Sequence, residues 1–226
     1  MYKYLLFDAD NTLLDFNAGE KCALKEALAS SPLEYSEKVY IRYHHINDSL
    51  WKKLEKGEVT RERLKIERFE VLLNEYGFDG AFYGKAIDDV FLEAMTKQAR
   101  LIDGAIEALS YLSQKYELYL VTNATARIQK KRLAQTDFHL YFRKYYISEE
   151  IGVNKPDKAF FDYVISDIGD NDRSKYLVVG DSLTSDIKGA INSGLDSCYF
   201  DRDCKGSRGY SPTYTIKHLL DLIELL

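Results

Sequence analysis

The chain has 226 residues, 46% of them hydrophobic and 30% charged, with a formal net charge of −5 at pH 7. That length allows one good core and a smaller second unit, while the mild negative charge gives no electrostatic basis for nucleic-acid or membrane binding. Cys22, Cys198 and Cys204 are scattered and odd in number, which argues against a disulfide framework and against a zinc knuckle. The N-terminus lacks the charged and long apolar regions of a secretory signal, and no apolar run is long enough to span a bilayer. The expected location is cytoplasmic.

Tyr4-Leu5-Leu6-Phe7 is a short apolar run bounded by polar residues, which predicts a buried strand. From about Ala18 to Met95 the strand signal disappears, and apolar residues recur at helical spacing among Glu, Lys, Leu and Ala. Helices are predicted over Gly19–Ala29, Ser36–Glu55, Thr60–Tyr76 and Asp79–Lys97, with Thr60 as an N-cap following Gly57. From Asp103 onward helix and strand alternate. Helices over Ala105–Lys115, Ala126–Gln135, Asp157–Ile168 and Thr184–Ser193 are interleaved with strands at Leu118–Val121, Tyr145–Ile147, Tyr176–Val179 and Cys198–Phe200. A Gly-rich turn around Gly206 and Gly209 then precedes a predicted helix over Lys217–Leu226. This alternation predicts an α/β fold, a Rossmann-like parallel sheet with helices on both faces. The expected domains are a core of residues 1–15 and 96–226, and an inserted all-helical cap of residues 16–95 that overhangs the site as a lid.

Each predicted strand of the core runs into residues that carry chemistry. The first ends in Asp8-Ala-Asp10-Asn11-Thr12, the second in Thr122-Asn123, the third leads to Lys155-Pro156, and the fourth to Gly180-Asp181-Ser182 and then Asp186. Ligands of open α/β sheets bind outside the carboxyl ends of the strands, so these groups are expected at one place. Asp8 and Asp10 lie two apart, on one side of an extended backbone, where like charges repel unless a cation or a proton intervenes. That set suits phosphoryl transfer. Asp8 would attack phosphorus, and Asp10 would protonate the leaving oxygen and then deprotonate water. Magnesium, which prefers oxygen ligands, would be held by Asp8, the Asp10 carbonyl and Asp181, with Asp186 holding bound water. Thr122 and the amides after it would bind phosphate oxygens, and Lys155 would neutralise developing charge.

Taken in order, Phe7-Asp8-Ala9-Asp10-Asn11-Thr12-Leu13, Thr122-Asn123, Lys155-Pro156 and Gly180-Asp181-Ser182-Leu183-Thr184-Ser185-Asp186 resemble the four motifs of the haloacid dehalogenase-like superfamily. The helical insertion between the first two looks like that superfamily's C1-type cap. Within the superfamily, an aspartate at the second motif position, here Asp10, implies phosphate-ester chemistry, since the haloacid dehalogenases lack it. Three further stretches are similar to the bacterial pyrimidine nucleotidase branch: Asn47-Asp48-Ser49-Leu50-Trp51 with Glu55-Lys56-Gly57, Arg68-Phe69, and Leu101-Ile102-Asp103-Gly104-Ala105. The resemblance implies a magnesium-dependent phosphatase that acts on nucleoside monophosphates through an aspartyl-phosphate. A sugar-phosphate phosphatase or phosphomutase of the same superfamily is the alternative reading, and a non-catalytic binding module a third. Ala124 departs from the glycine that many relatives carry after Thr-Asn.

The expected partner is a small-molecule phosphate ester, with no nucleic acid and no membrane, and the chain is expected to act as a monomer or homodimer. Phe16, Asn17, Thr122, Asn123, Lys155 and Trp51 are the candidate substrate contacts. Trp51 either stacks on a base or packs the cap's own core. The adjacent rings of His44 and His45 point apart on a helix, which disfavours a metal site. Lys130-Lys131-Arg132 is expected as a solvated helix face, and Cys22 and Cys198 as core fillers.

Overall fold

A computed structural model describes all 226 residues. The chain opens with strand β1 (Tyr4–Phe7) and enters four helices, α1 (Phe16–Leu28), α2 (Glu37–Glu55), α3 (Arg61–Glu75) and α4 (Gly80–Met95). It then alternates through α5 (Ala105–Leu112), β2 (Glu117–Thr122), α6 (Ala126–Leu133), β3 (Phe142–Ile147), α7 (Ser148–Ile151), α8 (Lys158–Ile168) and β4 (Tyr176–Gly180). It closes with α9 (Lys188–Asn192), β5 (Asp196–Phe200), β6 (Tyr214–Ile216) and α10 (Asp221–Leu225). These elements form two compact units, one of Met1–Asp15 with Ala99–Leu226, the other of Phe16–Gln98.

The first unit is a parallel sheet in the order β3-β2-β1-β4-β5-β6. Parallel strands covered on both faces must be apolar throughout, and β1 shows why: none of its four side chains is more than 4% exposed. Leu5 and Phe7 pack on one face with Leu120, Val179 and, from α5, Leu109. Tyr4 and Leu6, on the other, meet Tyr119, Val178 and, from α8, Phe161 and Val164. The chain winds from β1 toward β2 and β3 on one side and toward β4, β5 and β6 on the other, so β1 and β4 flank the point where the strand order reverses. Phe7 is level with Leu120 of β2 and Val179 of β4. Three strands therefore end together, which sets the residues that follow them side by side.

The second unit is a four-helix body with a core around Tyr43, Phe69 and Phe91, whose rings lie 5.2–5.6 Å apart. Ser36, Thr60 and Asp79 cap α2, α3 and α4 by accepting the amides of Val39, Arg63 and Phe82. Inside it the buried Glu20 carboxylate accepts from Asn47 Nδ2 at 2.8 Å and meets His44 Nδ1 at 2.7 Å, and Arg68 Nη2 donates to Asp88 Oδ1 at 2.6 Å. His44, half-buried, thus meets the edge of a buried polar network.

Some expectations differ from what forms. The C-terminal helix covers only Asp221–Leu225, and just ahead of it Tyr214–Ile216 pairs with β5 as a sixth strand. Its β-branched and aromatic residues suit a strand, and Asp221 Oδ2 then accepts the amides of Lys217 and His218. The predicted helix over Thr184–Ser193 is a wide π turn at Leu183–Ile187 followed by α9. Cys22 is exposed, not a core filler, since α1 buries the face bearing Gly19, Glu20, Ala23 and Ala27. Cys198 is buried. No helix is long and apolar enough to cross a membrane.

Candidate active site at the carboxyl edge of the sheet

Asp8 leaves β1 with its amide still bonded to the carbonyl of Val179 at 2.8 Å, so its carboxylate is placed by the sheet itself. Asn11 holds a left-handed backbone (φ 62°), which asparagine tolerates better than most residues, and its amide bonds to Leu14 O at 2.7 Å. That tight turn folds Thr12 back under the site. The fully buried Thr12 hydroxyl donates to Asp8 Oδ2 at 3.1 Å and accepts the amide of Asp181 at 3.1 Å. Thr12 therefore ties the end of β1 to the end of β4. Sequence position alone gives Thr12 no role, and its place in the Asp8–Leu13 motif is the available signal.

Lys155, 1% exposed, spends all three ammonium protons inside the site. It donates to Asp8 Oδ1 at 2.8 Å, Asp186 Oδ1 at 2.6 Å and Val121 O at 2.8 Å. Its backbone is clamped by Asn123, whose Nδ2 donates to Lys155 O at 2.8 Å and whose Oδ1 accepts Lys155 N at 2.9 Å. The Asn123 side chain expected at the substrate is thus committed to the lysine. Thr122 is 1% exposed and accepts the amide of Ala124 at 3.1 Å, which shapes the turn after β2.

The π turn explains how Asp186 arrives. One residue more than a regular turn brings its carboxylate back over β4, where Oδ2 accepts Ser182 N at 3.1 Å. Only glycine permits this approach: a Cβ on Gly180 would lie 2.3 Å from Asp186 Oδ2. Asp8, Asp181 and Asp186 each offer a carboxylate oxygen within 4.8 Å of one another. An all-oxygen, anionic donor set suits a hard divalent cation. Asp186 already has both oxygens engaged, by Lys155 and by Ser182, which fits the expectation that it acts through water. The Asp10 carboxylate lies outside this cluster, so of that residue only the backbone carbonyl remains a candidate ligand.

Electrostatics follow from this crowding. Burial, reinforced by Asp186 and opposed by Lys155, pushes Asp8 up to about 7. Burial and the neighbouring Asp8 and Asp186 raise Asp181 well above the ordinary carboxylate range. Burial pulls Lys155 down, but Asp186 and Asp8 more than offset it and leave it raised. Such a cluster attracts a cation strongly and holds a proton when none is present.

Asp10 sits apart. Its carboxylate pairs with Arg132 of α6, Nη1 to Oδ1 at 2.5 Å, and the same nitrogen donates to Gln129 Oε1 at 3.0 Å. Arg132 is 1% exposed and Gln129 fully buried, so the solvated face expected for Lys130-Lys131-Arg132 is corrected: the arginine turns inward. A run of three cations hides that turn, because helical periodicity alone does not say which of them finds a counter-ion. In the helical unit, Phe16 and Asn17 open α1, and Asn17 O accepts Tyr40 OH at 3.2 Å. Trp51 is half-buried with the Arg61 guanidinium 5.5 Å from its ring centre.

The chain as a whole matches known proteins. A family model for haloacid dehalogenase-like hydrolases covers residues 2–194. The crystal structure of the HAD-hydrolase YfnB from Bacillus subtilis, bound to magnesium, superposes with a TM-score of 0.91 at 37% identity, covering 100% of this chain and 98% of that one. The pyrimidine 5′-nucleotidase PynA of Streptococcus pneumoniae is 34% identical over 100% of this chain and 95% of its own. The pyrimidine 5′-nucleotidase YjjG of Escherichia coli is 31% identical over 100% and 98%. The chain belongs to the haloacid dehalogenase-like hydrolases.

Proposed function

We propose that this hydrolase is a magnesium-dependent phosphatase of pyrimidine nucleoside monophosphates that works through an aspartyl-phosphate on Asp8. The observation that carries the reading is the division of labour between two carboxylates two residues apart. Asp8 is locked among Thr12, Lys155 and the other acidic groups, as a nucleophile must be aimed. Asp10 is held away from that cluster, in a different environment, as a proton carrier must be.

In the first half-reaction an Asp8 oxygen forms a bond to phosphorus while the bond to the nucleoside oxygen breaks, and Asp10 supplies the proton that oxygen needs. In the second, Asp10 takes a proton from water as water attacks the same phosphorus, and Asp8 is released. Lys155 meets charge that develops on the phosphoryl group, and Asn123 keeps the lysine in place. Asp8, Asp181 and Asp186 would hold magnesium, which supplies further positive charge toward the phosphoryl oxygens when bound. Nothing in this set recognises a base, so discrimination among esters is assigned to the helical unit, with Phe16, Asn17 and Trp51 as candidates. The names of two relatives, both pyrimidine 5′-nucleotidases, support that choice of substrate class.

Phosphate release from a panel of nucleoside monophosphates, deoxynucleotides and sugar phosphates, with magnesium and with chelator, tests the proposal. Fastest release from pyrimidine monophosphates, abolished by chelator, is expected. Interconversion of sugar phosphates without free phosphate would replace the reading with a phosphomutase.

A further inference from the structure

We infer that Arg132 is a positioning residue that orients the proton-carrying carboxylate of Asp10. This rests on the phosphatase reading above and adds to it a residue that its chemistry does not otherwise require. Arg132 lies in the last turn of α6, 122 positions from Asp10 in the sequence, yet its Nη1 reaches Asp10 Oδ1 at 2.5 Å. The pair is asymmetric. The arginine side chain is 1% exposed, whereas the aspartate is 24% exposed. A buried guanidinium is costly to desolvate, and an apolar residue would fill the same helix position without that cost. Gln129 deepens the cost: it gives its carbonyl to Arg132 and leaves its own buried Nε2 with no hydrogen-bond partner. Two buried polar side chains are thus assembled behind a single half-buried carboxylate.

The arrangement has a geometric consequence. Holding Oδ1 restrains rotation of the carboxyl group and leaves Oδ2 as the oxygen that handles the proton. In the forward step the Oδ2–H bond breaks, its electron pair stays on the carboxylate, and the proton passes to the leaving oxygen as that oxygen takes the electron pair of its bond to phosphorus. Without the arginine the carboxyl group rotates about its side-chain bonds, and a group able to transfer the proton is less often aligned. In this scheme Arg132 acts on the reaction through Asp10.

The test compares Arg132→Ala and the neutral, better-tolerated Arg132→Gln with wild type and Asp10→Asn, in the full chain with magnesium. The readout is kcat/KM, which counts steps only through departure of the leaving group, for a nucleoside monophosphate and for 4-nitrophenyl phosphate. General acid catalysis contributes roughly 10²–10⁴-fold, so Arg132→Ala should lower the nucleotide value by about 10²-fold while the activated aryl ester, whose leaving group needs little protonation, loses far less. Added guanidinium ion should restore part of the nucleotide activity of Arg132→Ala. In an Asp10→Asn background the same change should cost little further, because the group it positions is gone. If Arg132→Gln, shown to be folded by its melting curve, loses both esters equally or neither, the positioning role is wrong while the phosphatase reading stands. If wild type releases no phosphate from either ester, or Asp10→Asn itself shows no leaving-group dependence, the underlying reading fails and this inference with it.

Discussion

Replacing Lys155 by methionine keeps the length and bulk of the side chain and removes its charge. In the folded protein that charge serves Asp8 Oδ1, Asp186 Oδ1 and Val121 O at 2.6–2.8 Å, and the lysine and Asp186 side chains are each 1% exposed. Removing one partner of a buried ion pair costs about 3–5 kcal/mol. For a chain of this size roughly 2–4 °C of melting temperature accompanies each kcal/mol, so the metal-free variant should melt roughly 6–20 °C lower. Two processes offset part of the loss. Asp8 is already raised to about 7 by burial and takes up a proton readily, so the deficit should shrink in mildly acidic buffer. Magnesium brings positive charge to Asp8, Asp181 and Asp186, and any ligand that binds only the folded state stabilises it by about 2.7 kcal/mol at a hundredfold excess over its dissociation constant. Calorimetry of both proteins in chelator and in magnesium is the assay. The magnesium-induced rise in melting temperature should be larger in Lys155→Met than in wild type. A variant that melts within about 2 °C of wild type in chelator would refute the claim that Lys155 compensates the acidic cluster.

Further outcomes follow from the same geometry. Metal-free wild type should lose stability as pH rises from about 4 to 7: burial lifts Asp8 to about 7, so over that window the folded state binds more protons than the unfolded one, and the slope approaches about 1.4 kcal/mol per pH unit for each such proton. Calorimetry across pH in chelator reads this directly, and saturating magnesium should flatten it. Asp8→Asn and Asp10→Asn should both impair nucleotide turnover but move metal-free stability in opposite directions. The first relieves repulsion within the cluster, while the second strips the buried Arg132 of its carboxylate; melting curves that shift the same way would contradict that contrast. Gly180→Ala should weaken magnesium binding, measured by titration calorimetry, because a methyl group 2.3 Å from Asp186 Oδ2 forces that carboxylate to move. Trp51→Ala should reduce nucleotide use more than aryl phosphate use, by about 1–3 kcal/mol in kcat/KM, if the ring stacks on a base; equal losses with a lower melting temperature would assign it to packing.

The parallel sheet was legible because β1, β2 and β4 are continuous apolar runs that end in chemistry-bearing residues. Asp8, Thr122 and Asp181 could be named from those ends, and Lys155 from the Lys-Pro pair in the segment that follows β3. What hid was long-range pairing. Arg132 resembles its neighbours Lys130 and Lys131 in type and spacing, and only the packing of α6 shows that it turns to Asp10 across 122 positions. Asn123 reads as a substrate contact by position, yet its amide finds the backbone of Lys155. The π turn at Leu183–Ile187 is invisible to helical periodicity, because one inserted residue leaves the composition unchanged. The sixth strand, of three residues, is too short for any alternation to register.

The central claim is that Asp8 carries the phosphoryl group and Asp10 carries the proton. Asp10→Asn, incubated with magnesium and 4-nitrophenyl phosphate and quenched in acid, isolates that claim. The aryl leaving group departs without an acid, and loss of the base slows hydrolysis of what forms on Asp8. Mass spectrometry of the digested protein should find phosphate on the peptide that contains Asp8 and none when Asp8 is also changed to Asn. Release of 4-nitrophenol with no phosphate ever found on that peptide would contradict the account.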